Sequence, residues 1–415
     1  METKERPHRA WYVLLGCTMI LCSTSGILNN IGQFYKPLAV AFSTPEKTIG
    51  ISNVALGRTF QILFAAFFVF FFGNKLLSKH FKPVICTAAI IYSGQYFLLS
   101  RIQSLTQLYI IQCIGGAAIS ILQLLLVMRT INRWFYKRKG FAVGISAAGA
   151  GLTSIFLSST LGTIIANMGW RSGYVFFGIV TFVLALGGTI LIQESPEVCG
   201  LKPYGWDEKT EADKTSKVLN ASVPEKSIYM RPELYLVALV VSSFGFLMTS
   251  TAHTSTYATS IGYGVVASAY ISSVGLAGNT SVKLIIGIVR DKLGTTKAGI
   301  IEFTISAIGY SLLLMNVNMA TLLIGVFLVG SVMSTTTVIA PVLESDHFKG
   351  SDFEKALPFF NMLSNLVGAF ANFFYGWICD ITGSYSIIFV ICLFILAMDT
   401  AIVLILEKKK NRKYS

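Results

Sequence analysis

Long apolar runs recur along this chain, each closed by a short polar break. A helix that crosses a bilayer needs about 20 mainly apolar residues. Stretches of that kind fall near 11–32, 48–73, 83–100, 105–131, 140–165, 171–192, 233–258, 266–289, 297–315, 319–343, 355–378 and 385–406. Runs of this length predict helices, because in hydrocarbon every backbone N–H and C=O must bond within its own segment. The pattern therefore predicts an all-α membrane protein of twelve transmembrane helices in two pseudo-symmetric six-helix bundles. The expected organisation is a first bundle over 1–192, a cytoplasmic central linker over 193–232 and a second bundle over 233–415. Lys4, Arg6 and Arg9 precede the first stretch, as in a signal peptide. That stretch is too long for a signal h-region and lacks an A-x-A site, so an uncleaved span is expected.

Composition narrows the class further. Only 13% of the 415 residues are charged and 53% are hydrophobic, against roughly 25% charged in a soluble globular chain. Too little polar surface remains to cover a water-soluble particle, which argues against a soluble enzyme, a disordered protein or a nucleic-acid binder. The net charge of +13 acquires its meaning from where the 33 Lys and Arg lie. With the N-terminus inside, 27 fall on cytoplasmic loops and tails, four (Lys36, Lys47, Arg101, Arg171) fall outside, and Arg58 and Lys283 lie within spans. The positive-inside rule then places both termini in the cytoplasm. Seven cysteines with no CxxC predict free thiols and no metal site. No catalytic motif or cofactor signature is present. Asn220-Ala-Ser222 matches a glycosylation pattern, but on the expected cytoplasmic linker it carries little weight.

An internal repeat links the two sets of spans. Gly73 and Gly287 each open a basic loop after the second and eighth spans, and Gly169 and Gly383 lie between spans five and six and eleven and twelve. Both pairs are offset by 214 residues, which argues for duplicated halves. The loop Gly287…Asp291-Lys292-x-Gly294…Lys297 resembles the loop motif of the major facilitator superfamily. That resemblance implies a conformational latch, in which Asp291 and Lys292 hold one half against the other at the cytoplasmic face. Asp291 suits the positive N-terminal end of a helix, here the fifth span beside Arg138. The first-half copy has Leu77 where the acid belongs and His80 where the second Gly belongs, so no strong latch is expected there. Asn132-Arg133-Trp134-Phe135-x-Lys137-Arg138-x-Gly140, Gly169-Trp170-Arg171 and Asp380-x-Thr382-Gly383-Ser384-Tyr385 narrow the resemblance. They are similar to the monocarboxylate porter group and its bacterial oxalate/formate antiporter-like branch.

A charge inside a span is functional or paired, because leaving it alone in lipid is expensive. Lys283 lies four residues before Gly287. The resemblance implies an Arg there that binds the substrate carboxylate; a Lys keeps the charge without the bidentate fork. Snorkelling to the nearby interface is the alternative. The dicarboxylate-binding members place a Lys where Ser364 stands, and tyrosines where Asn29, Leu124 and Ala150 stand. One cation therefore points to one carboxylate. Asn279 occupies the place of the Asp of proton-linked porters. His253, the one histidine within a span, is a proton-coupling candidate. Arg58 either lines the cavity or pairs locally. Glu302 and Asp399 are expected to pair with nearby Lys or Arg. Asn29, Asn30 and Gln33, beside Gly26 and Gly32, mark an irregular first span and candidate binding groups. Asn361 and Asn365, one turn apart in span eleven, are further candidates, with helix-to-helix bonding as their alternative.

These residues point to a secondary transporter of small organic anions, chiefly monocarboxylates of the lactate, pyruvate or formate type. It would act by alternating access, with proton symport or anion exchange, as a monomer in the cell membrane. Its expected partners are the anion, protons and the lipid bilayer. An exporter of amphiphilic compounds uses the same fold, and a membrane sensor that binds without transport is the alternative of another class. The short tails carry no signalling domain, which favours transport.

Overall fold

The computed structural model describes residues 8–206, 228–348 and 351–414. Asn220 and the glycosylation pattern lie outside the described residues. Among the described residues the long helices form twelve segments. The first six are α1 (Ala10–Phe42), α2 (Ile51–Phe68), α3 (Phe81–Leu99), α4 (Leu105–Trp134), α5 (139–168) and α6 (170–191). The second six are α7 (Pro232–Ala252, continued by Thr254–Ser260), α8 (Val265–Leu293), α9 (Thr295–Met315), α10 (Met319–His347), α11 (Ser351–Thr382) and α12 (Ser386–Tyr414). α5 and α6 run on as one helix except at Gly169, whose φ of 81° breaks the ladder. Its repeat partner Gly383 also turns with positive φ, at 67°. Gly294, between α8 and α9, has φ 85° and ψ 167°, a region essentially confined to glycine. Where the first-half copy has His80, the chain turns instead with φ −142°.

Two apolar clusters form the interior. One draws on Ala10 to Ile192, the other on Ile228 to Leu406. Outward faces stay apolar as well, with Phe156, Ile190 and Phe394 more than 70% exposed. Such faces suit lipid, which needs no polar rim. The described start of the polar segment after α6 packs against the helices. Trp134 Nε1 donates to Gln193 O at 2.9 Å, Arg133 pairs with Glu194 at 2.8 Å, and Tyr204 N donates to Trp134 O at 2.8 Å. Residues 193–206 thus dock on the α4–α5 turn.

The first and fourth helices of each set of six are irregular. α1 is interrupted at Asn29–Asn30 and continues as a 3-10 turn over Ile31–Phe34. α4 breaks at Gln123, α7 breaks at His253, and α10 contains a π-helical turn over Thr335–Ile339. The expected bend in the first span is therefore present. The α10 turn had no signal, because a π turn is set by packing rather than by a residue type. Broken helices free backbone groups, which lipid does not tolerate unless the segment faces protein or a cavity.

Candidate functional site

Helices from the two sets meet along α2 with α11 and α5 with α8, and where the bend of α1 meets the end of α7. Several contacts close the end that carries the α1–α2, α7–α8 and α11–α12 loops, the distal end. The Asp380 carboxylate accepts from Ile51 N at 2.8 Å and Ser52 N at 2.9 Å, so it caps α2 from across the interface. Lys36 Nζ donates to Thr259 O at 2.9 Å, and Thr256 Oγ1 donates to Gly32 O at 3.1 Å. Tyr35 places its ring 5.2 Å from that of His253 and donates to Asn372 Oδ1 at 3.4 Å. Further down, Thr59 Oγ1 donates to Ala369 O at 2.6 Å. Ser158 Oγ donates to Ala269 O at 2.9 Å, and Gly151 lies against Thr280. The small residues on α5 permit this close approach.

Lys283 sits one turn beyond Thr280, just past that last close contact. It is half-buried, and among the described residues it joins no ion pair. Asn279, one turn away, is buried beside Gly330 of α10, and its Oδ1 has no partner. Asn361 and Asn365 are exposed. They lie four residues apart, and Asn372, which contacts Tyr35, is seven residues further on. Helical periodicity puts all three on one face of α11, the face turned to the first set of helices. Ser364, on another face, presents its backbone to Gly245 of α7.

The polar residues of α1 are already committed. Asn29 Nδ2 donates to Ser154 Oγ at 3.0 Å, Asn30 Nδ2 to Ser154 O at 3.1 Å, and Gln33 Nε2 to Ser158 Oγ at 2.9 Å. They clamp the irregular stretch of α1 to α5. Asn29 remains half-buried, and Gln33 Oε1 is buried without a partner. Arg58 is half-buried and donates to Gln61 Oε1. Its charge also acts on Tyr35, Tyr92 and Tyr96. Among the described residues it joins no ion pair; its partner Gln61 in turn donates to Gln95 Oε1 at 3.4 Å.

His253 is buried in a tyrosine cluster at the distal end. Nδ1 lies 3.1 Å from Tyr385 Oη, Tyr375 stacks on the ring at 5.3 Å, and Nε2 has no partner. The expectation of basic partners for the two buried acids needs correction. Asp399 Oδ2 accepts from Ser243 Oγ at 2.6 Å, and Glu302 Oε1 accepts from Ser334 Oγ. Among the described residues their bonded partners are hydroxyls, not cations. Of the latch motif, Gly287 and Gly294 frame the end of α8, Lys292 is exposed, and Arg138 precedes α5 with φ 63°. Asp291 lies in the last turn of α8; its side chain is outside the described residues.

Sequence reasoning did not find Asp380, Tyr35 and Asn372. Asp380 stood in a quoted motif, but only the fold brings it to the end of α2.

The model of the Major Facilitator Superfamily matches residues 14–315 and 282–415. The chain is 22% identical over 309 residues to the oxalate:formate antiporter of Oxalobacter formigenes, an alignment that spans 72% of this chain and 67% of that one. It is 22% identical over 391 residues to monocarboxylate transporter 13 of Rattus norvegicus, spanning 92% and 85%. Among solved structures, the inward open xylose transporter XylE from E. coli superposes with a TM-score of 0.71 at 14% identity, covering 94% of each chain.

Proposed function

The chain belongs to the Major Facilitator Superfamily and is a multi-pass membrane transporter, and from that premise we propose that it carries small organic monocarboxylates by alternating access. The observation that carries this reading is Lys283. It is an intramembrane cation on α8, half-buried and one turn beyond the contact of Thr280 with Gly151 of α5. Desolvating a cation there is costly unless an anion joins it, and a single carboxylate meets that demand. Exposed Asn361 and Asn365 on the inner face of α11 supply hydrogen-bonding groups for the rest of a small polar substrate. Asn29 and Asn279 border the same region. The antiporter and monocarboxylate relatives support an anion as cargo.

In this reading 1–192 and 233–415 are the two rocking bundles and 193–232 is the cytoplasmic connection between them. With the termini on the cytoplasmic side, as the basic loops suggest, the closed distal end is the external one. The contacts of Asp380, Lys36 and Tyr35 form the external seal. The loop motif, through Asp291, Lys292 and Arg138, supports an opposing internal latch in this reading.

The test is uptake of labelled lactate, pyruvate and formate into proteoliposomes. Lys283→Ala is expected to abolish uptake, while Lys283→Arg retains part of it, because the charge survives in a different shape. Full uptake by Lys283→Ala sinks the assignment. Transport of amphiphilic cations with no carboxylate uptake favours an exporter instead.

A further inference from the structure

Residues 193–206 read as linker in the sequence, yet they are built to one shape. Pro196 and Pro203 fix their own φ, and Gly200 and Gly205 turn with φ 66° and 76°. A 3-10 turn over Glu197–Cys199 ends at Gly200, and Leu201 N donates back to Pro196 O at 3.0 Å. Tyr204 then spends both backbone groups on the α4–α5 turn. Its N–H donates to Trp134 O at 2.8 Å, and its carbonyl accepts from Tyr136 N at 2.9 Å and Lys137 N at 3.4 Å. Its ring packs against Phe135 at 5.7 Å, Trp11 at 5.5 Å and His8 at 5.6 Å. Trp134 and Phe135 are buried beneath it. A methyl group on Gly205 would lie 2.8 Å from Lys137 Cβ. The Arg133–Glu194 pair sits at the exposed rim, where an ion pair adds little.

The turn held in this way carries backbone strain. Arg138, the residue before α5, has φ 63° and ψ 30°. Among the described residues Asn316 is the one other non-glycine with positive φ. A side chain in that left-handed region is costly and persists where its surroundings hold it. On one side of Arg138 the amides of Tyr136 and Lys137 are fixed by Tyr204 O, and on the other Ala142 N donates to Arg138 O at 3.1 Å. The helix that starts here is also the one that meets α8, through Ser158 with Ala269 and Gly151 with Thr280. What fixes the start of α5 therefore fixes a surface along which the two sets of helices meet.

We propose that residues 193–206 are a clasp that positions α5 for the transport cycle, with Tyr204 as its central residue. The clasp holds the α4–α5 turn in the conformation from which the cytoplasmic end closes. This rests on the reading of the two bundles as rocking parts with an internal latch. In that reading Asp291 and Lys292 meet the start of α5, so that start must be presented at a fixed height and angle. With the clasp in place the strain at Arg138 is held and the start of α5 is preset. Without it Arg138 relaxes to an ordinary φ, the turn moves, and the latch surfaces no longer match. The clasp travels with the first bundle, and Tyr204 is a positioning residue that touches no substrate.

The experiment uses the full chain in right-side-out vesicles and compares Gly205→Ala, Tyr204→Ala, Tyr204→Phe and Glu194→Gln. Gly205→Ala forces φ 76° on a side chain and drives it into Lys137, so amide exchange at Tyr136 and Lys137 should rise. Tyr204→Ala removes the ring contacts and should act in the same direction, which guards against a misfolded Gly205→Ala. Each variant also carries an introduced Asn372→Cys against a Cys379→Ser background. Its labelling by an impermeant maleimide added outside should fall by roughly fivefold in Gly205→Ala, the change that one net hydrogen bond makes in an equilibrium. The sign separates positioning from damage, because a loosened protein exposes position 372 and labels faster. Labelled lactate uptake should fall alongside. Tyr204→Phe keeps the ring and the backbone bonds, and Glu194→Gln loses a rim pair alone, so both should match wild type in every readout. Faster exchange at Tyr136 and Lys137 with unchanged or faster labelling overturns the proposal, as does unchanged exchange in Gly205→Ala. A wild type that takes up no carboxylate rejects the anion reading instead, while the labelling, which needs no substrate, still decides the clasp.

Discussion

Replacing Asp380 tests whether the distal seal is an energetic latch. Its two oxygens accept from Ile51 N at 2.8 Å and Ser52 N at 2.9 Å. Those are the first backbone amides of α2, which have no partner within the helix. A hydrogen bond to a charged group contributes about 1.5–3 kcal/mol, and a carboxylate at a helix N-terminus adds about 0.3–1 kcal/mol. Asp380 is exposed, so the low end applies, and the latch as a whole contributes about 2 kcal/mol. That corresponds to a shift of roughly 30-fold in the balance between closed and open distal ends. Asp380→Ala is therefore expected to accelerate amide exchange in residues 50–54, read by hydrogen-exchange mass spectrometry in nanodiscs. The partner segments 255–262 of α7 and 366–376 of α11 should lose protection with it, because Lys36, Tyr35 and Thr256 part together. Asp380→Asn keeps one acceptor and should fall between. Loosening at 50–54 alone reduces Asp380 to a local cap, and unchanged exchange at 50–54 refutes the latch entirely.

Other substitutions probe the same frame. A methyl group on Gly32 would run into the Ala252 carbonyl, so Gly32→Ala should disfavour the closed distal end. Labelling of an introduced Asn372→Cys by an impermeant maleimide, against a Cys379→Ser background, should then rise. Gly294→Ala forces φ 85°, ψ 167° on a side chain at a cost of about 1–3 kcal/mol. It should lower the melting temperature in detergent, whereas Gly287→Ala, with open space around it, should not. Equal melting temperatures for the two remove the strain argument.

Much of this protein was legible in one dimension. Twelve spans, their all-α character and the break in α1 follow from residue type and run length, since hydrocarbon allows few alternatives for a backbone. Lys283 stood out for the same reason, as a charge where charges are expensive. Where a polar side chain spends its hydrogen bonds was not legible. Asn30 and Gln33 look like binding groups in the sequence, yet their amides hold α1 to α5. Glu302 and Asp399 look like halves of surface-near ion pairs, yet serines on other helices hold them.

The chain by itself therefore determined the solvent, the helices and the rare charges, because burial in lipid penalises each residue one at a time. Tertiary structure alone decided what each of those charges bonds to and which end is shut. Asp380 meets α2 across 328 positions of sequence, and Glu302 meets Ser334 only because α9 and α10 pack side by side. Contacts of that kind depend on the relative placement of rigid helices, and no local pattern encodes it.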